Sequence, residues 1–191
     1  MTVQEAYVQF KELYDFAEIG VELESIAPME ELMKTPAAPT SDSGLAYEGA
    51  ILFHTIMVWY YVKKVASLYK AVYEISDKAL AKVTVLHQLG KVGMFSPNTD
   101  DWQVKKLGKV YSFVDTDYCL KTGDRTRMLC SNAGIKFTPE EYEAVAIMDK
   151  TGDEYDKMVK YRTPLSTVLR TANDIAFTVA QERYKQANRK Q

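Results

Sequence analysis

Cysteine and histidine are scarce in this chain, with two of each among 191 residues. Cys119 and Cys130 fall in no Cys-x-x-Cys or Cys/His spacing, so nothing points to a zinc finger and a reducing compartment is expected. An excess of charge of one sign is also missing. The 24 Lys and Arg against 26 Asp and Glu leave a net charge of −2. That balance argues against bulk electrostatic binding of nucleic acid, while leaving room for a local basic pocket. Long apolar runs are missing too. The longest, Ala50 to Val62, is interrupted by His54 and is shorter than the ~20 residues a membrane span needs. The opening Met1-Thr2-Val3-Gln4-Glu5 lacks the charged start and apolar core of a signal peptide. A cytoplasmic protein with no membrane partner is therefore expected.

What is present is ordinary for a globular protein: 47% hydrophobic and 26% charged residues. The length fits one domain, residues 1–191, able to bury a core without disulfides. Residues 1–34 carry Val8, Phe10, Leu13, Tyr14 and Phe16 at near-helical spacing, followed by a short segment at Met29–Met33. The break at Thr35-Pro36-Ala37-Ala38-Pro39 through Gly44 reads as a structured connection close to a site. A long helix is expected from about Glu48 to Tyr73, with a broad apolar face through Ile51, Val58, Val62 and Val65. Ser76 then caps a helix Asp77–Leu89, stopped at Gly90.

Between Trp102 and Val114 the residues are β-branched and aromatic around a central Gly108, which predicts a small hairpin. Helix returns over Arg125–Ala133 and ends at Gly134. Thr138-Pro139-Glu140-Glu141 is a capping box with Pro in the first turn. A last helix follows Pro164, and a polar tail over 181–191 is expected to fray.

The two histidines sit in Tyr47-Glu48-Gly49-Ala50-Ile51-Leu52-Phe53-His54-Thr55 and in Val85-Leu86-His87-Gln88-Leu89-Gly90-Lys91-Val92. Downstream come Gly134-Ile135-Lys136-Phe137-Thr138-Pro139-Glu140-Glu141, then Pro164-Leu165 and Ala172-Asn173-Asp174. In that order, over about residues 36–180, these segments resemble the HD-domain phosphohydrolase superfamily, in its small bacterial and phage form. The resemblance implies an all-α, HD-domain-like helical bundle with a small β-hairpin insertion. It divides the chain into an N-terminal helical segment (1–35), an HD core (36–180) and a tail (181–191).

The resemblance also places residues. Its metal ligands fall on His54, His87 and Asp174, which would hold one divalent ion (Mn, Fe, Co or Mg). Gln88 stands where the His-Asp pair has its aspartate, and a neutral amide is a poor ligand for a hard cation. Two further histidines of such proteins align with Thr122 and Met148, so a second metal is not expected. Lys91 is the candidate catalytic cation. Lys121, Arg125 and Arg170 lie in or beside the matched segments, where they could hold phosphate by charge-assisted hydrogen bonds. Trp59, Tyr60 and Tyr61 are either a base-stacking stripe or core.

The expected function is that of a divergent, catalytically impaired HD protein that binds a phosphorylated, nucleotide-like ligand or a protein partner. The alternatives are an active single-metal phosphohydrolase on nucleotides or other phosphoesters, and an assembly module in which both histidines merely pack.

Overall fold

The computed structural model describes residues 1–115, 120–150 and 162–189. Cys119 lies outside them, as does the side chain of Asp149. Helix dominates, as the periodicity predicts. The helices are α1 (Val3–Phe16), α2 (Met29–Lys34), α3 (Ala50–Ser67), α4 (Asp77–Leu86), α5 (Asp101–Leu107), α6 (Thr122–Asn132), α7 (Pro139–Ala146) and α8 (Pro164–Asn188). No helix among the described residues is long and apolar enough to cross a membrane.

Capping chemistry sets several of these boundaries. The Thr2 and Thr138 side chains each accept from the backbone three residues on, while Glu5 and Glu141 reach back to the cap. The predicted capping box at Thr138 is therefore present. Helix α6 ends as predicted, with Gly134 at φ +82°. Helix α4 stops at Leu86, short of the predicted Leu89, and a 3₁₀ turn at Leu89–Lys91 follows. The last helix continues to Asn188, so most of the predicted frayed tail is helical, with Lys185 bonded to Glu182 at 2.8 Å.

The hairpin is real, but its limits differ from those read in the sequence. The strands are β1 (Phe95–Pro97) and β2 (Tyr111–Phe113), antiparallel with Phe95 opposite Phe113. Most of the stretch expected as the first strand is α5. Asp100 accepts from the backbone of Trp102 and Gln103, and Gly108 closes the helix in the left-handed region. A cap at each end outweighs β-propensity over seven residues.

Three packed clusters form the core, the smallest joining Ala37, Ala38, Leu45, Ala50 and Ala180. The first joins Phe10, Leu32, Ile51, Leu52, Leu86 and Leu89, from α1, α2, α3, α4 and the turn after α4. The second joins Val58, Val62, Leu80, Val83, Val168 and Leu169, from α3, α4 and α8. His54 lies on α3 between its contributions to the first and the second. The proline-rich connection is tied down as expected: Ser41 donates to Gly108 O at 2.8 Å and Tyr111 to Pro39 O at 3.1 Å.

Candidate functional site

The two histidines, distant in sequence, meet in the interior. His54 points from α3, His87 caps the C-terminus of α4, and both are 1% exposed. Gln88 follows at 7%. From α8 comes Asn173, whose Oδ1 lies 2.9 Å from His54 Nε2 and 3.3 Å from Gln88 Nε2. Lys91 closes the group, donating to Gln88 Oε1 at 3.2 Å and to Ala37 O at 2.5 Å. The proline-rich connection thus supplies a wall of the site.

Hydrogen-bond chemistry fixes the orientation of each member. An ammonium can only donate, so the Gln88 atom facing Lys91 is its oxygen. The Gln88 nitrogen must then face an acceptor, which makes the Asn173 atom between it and His54 an oxygen. That oxygen obliges His54 to carry its proton on Nε2. His87 is fixed separately: Nδ1 lies 2.6 Å from Thr84 O and must donate to it. The two imidazoles are therefore opposite tautomers, each with a bare, buried nitrogen lacking a partner, His54 Nδ1 and His87 Nε2.

Burial keeps both rings neutral. It pushes His54 down to about 4, with the Asn173 bond opposing and the Lys91 charge adding. It pushes His87 down to about 3, helped by the nearby His54. Lys91 keeps some exposed surface, but its ammonium is enclosed, and burial lowers it to about 8. At neutral pH Lys91 still carries its charge, and the other four members of the group are neutral.

The other candidates sit elsewhere. Asp174, the expected third ligand, is turned away from the histidines. Its side chain is 57% exposed and pairs with Arg170 at 3.3 Å. The reason is helical phase. Leu165, Leu169, Ala172 and Ala176 form the buried stripe of α8. Asn173 follows Leu169 by one turn, whereas Asp174 follows Arg170. That same stripe was the signal from which Asn173 could have been picked. Arg170 donates to the carbonyls of Ile147 and Met148 at 3.0 and 2.7 Å, holding the turn after α7. Arg125 donates to Gly90 O at 2.9 Å, one residue before Lys91, with its Nε buried and unpartnered. Lys121 is exposed at the cap of α6. Thr122 opens α6, and Met148 packs against the second core cluster.

A divalent ion does not fit these residues. No group of three His, Cys, Asp or Glu able to hold a metal occurs among the described residues. In the central group His54 Nε2 is protonated, Asn173 Oδ1 already accepts two bonds, and Gln88 Oε1 faces an ammonium. The bare nitrogens His54 Nδ1 and His87 Nε2 are neutral donors with no carboxylate beside them to balance an ion's charge, and Lys91 repels a second cation. Comparison with protein-family models, characterised proteins and solved structures finds no match.

Proposed function

We propose that this chain is a divergent HD-like protein that binds a phosphorylated, nucleotide-like ligand without metal chemistry. One observation carries the reading: the Lys91 ammonium is the single charge in a group otherwise made of neutral imidazoles and amides. Such a group favours an anion and disfavours a cation. Two of the three Lys91 protons are used by Ala37 and Gln88, and the third is left for a ligand. The Asn173 amide, on a partly exposed residue that also interacts with the His87 ring, brings a second donor to the group. A phosphate oxygen accepts from both kinds of group. Arg125, beside the same turn, is the further candidate for phosphate. Arg170 is occupied by backbone carbonyls and is not used in this reading.

Hydrolysis through one metal ion is the weaker reading, because the group has no carboxylate and its amide oxygens are already held by His54, Gln88 and Lys91. The deciding experiment is calorimetric titration with inorganic phosphate and with AMP in the presence of EDTA. Saturable binding that survives chelation and is lost in Lys91→Met is expected. Binding that appears only when Mn²⁺ or Mg²⁺ is added, or that Lys91→Met leaves unchanged, would overturn the proposal.

A further inference from the structure

Helix α3 carries α1 along one flank and α8 along the other, and those two helices share little contact with each other. Its outward side is unusually apolar for an exposed helix. Phe16, Tyr47 and Tyr60 on this face are 47%, 43% and 50% exposed. Two grooves run beside the helix. One, about 510 Å³, lies between α1 and α3 and is lined by Glu12, Phe16 and Trp59. The other, about 780 Å³, lies on the α8 side and is lined by Tyr47, Tyr60 and Arg183. Ile56 lines both, so it forms the ridge between them. This is how Trp59, Tyr60 and Tyr61 divide: Trp59 faces one groove, and the two tyrosines face the other.

We propose that this face is a homodimer interface, occupied by a second copy of the chain. Charge argues for a self-complementary partner. The α1 flank presents Glu12 and the α8 flank presents Arg183, both exposed and neither bonded to a described residue. Lys64 lies 4.3 Å over the Tyr60 ring on the α8 side and Lys63 5.5 Å over the Trp59 ring on the α1 side, so these two balance and Glu12 and Arg183 are what distinguish the flanks. A two-fold axis lying along α3 exchanges the flanks, so Glu12 of one copy meets Arg183 of the partner subunit, and the contact occurs twice. An axis across α3 would instead set α1 on α1, with like charges together. Area argues the same way. The 18 residues of α3 are about 27 Å long. Three helices side by side are about 28 Å wide. Their product is close to the ~800 Å² per partner that a stable dimer buries.

Light scattering coupled to gel filtration, over a range of loading concentrations, tests the proposal. A dimer mass is expected for the wild type, falling to a monomer in Tyr60→Asp with an unchanged helical spectrum. A charge swap provides the second arm, since both residues are exposed. Glu12→Arg and Arg183→Glu should each weaken the dimer by about tenfold, and the two together should restore it. A wild type that stays monomeric at the highest concentration overturns the inference. So does a dimer indifferent to all of these variants, or a double swap weaker than either single change.

Discussion

The Lys91 ammonium, 3.2 Å from Gln88 Oε1, decides through two intervening amides which nitrogen of His54 holds the proton. Nitrogen-15 NMR of the rings can read this directly. His54 should appear as the Nε2–H tautomer and His87 as the Nδ1–H tautomer at neutral pH. In Lys91→Met nothing obliges the Gln88 oxygen to face outward, so His54 should lose its single tautomer while His87, held by Thr84, keeps its own. Identical tautomers at both histidines in the wild type would refute the chain of orientations.

The same burial makes stability depend on pH. Each histidine has a folded-state pKa pushed well below its ordinary 6.5, to about 4 for His54 and about 3 for His87. Between pH 6.5 and 5 the unfolded chain takes up protons that the folded chain refuses, so stability is complete above this window and falls as the pH drops through it. Each buried ring contributes about 1.4 kcal/mol per pH unit, so the two together cost about 4 kcal/mol by pH 5. Urea unfolding at several pH values checks this. His54→Asn should roughly halve the slope, and a flat profile in the wild type would show that the rings charge without penalty.

Much of this arrangement was legible in the residues. The two histidine segments, the Thr138 capping box and the tied-down proline connection all follow from short-range pattern, which capping and turn chemistry express locally. The α5 helix was hidden because its caps, Asp100 and Gly108, bracket a stretch whose side chains favour a strand. Asn173 was hidden for a different reason. The family resemblance places the ligand on Asp174, and only the phase of α8 against the buried stripe shows which of the two faces inward. The orientation of Gln88 cannot be read from sequence at all, since it depends on Lys91 arriving from the turn after α4.

Metal affinity should follow the carboxylates. The wild type is expected to carry no Mn²⁺ or Co²⁺ after dialysis, because two neutral imidazole nitrogens beside an ammonium, with no carboxylate in the group, do not hold a hard cation. Replacing both amides, Gln88→Asp with Asn173→Asp, places two carboxylates beside two imidazoles and balances the ion's charge. Elemental analysis should then find about one metal ion per chain. Gln88→Asp alone should fall short, since Asn173 Oδ1 still engages His54. Stoichiometric metal in the wild type would mean that the hydrogen bonds give way to the ion.

Arg170 and Asp174, one turn apart on α8, should respond very differently to substitution. Arg170 Nη1 reaches the carbonyls of Ile147 and Met148 at 3.0 and 2.7 Å, whereas Asp174 makes one exposed pair at 3.3 Å. Removing the guanidinium in Arg170→Leu strips charged donors from carbonyls at the end of α7, at a cost of about 2 to 3 kcal/mol. Neutralising the carboxylate in Asp174→Asn removes a surface pair worth less than about 1 kcal/mol. For a chain of this length these correspond to Tm falls of about 5 to 10 °C and at most about 3 °C. Phosphate binding should survive Asp174→Asn. If that substitution abolishes binding while leaving Tm intact, Asp174 belongs to the site after all, and the inward assignment of Asn173 fails with it.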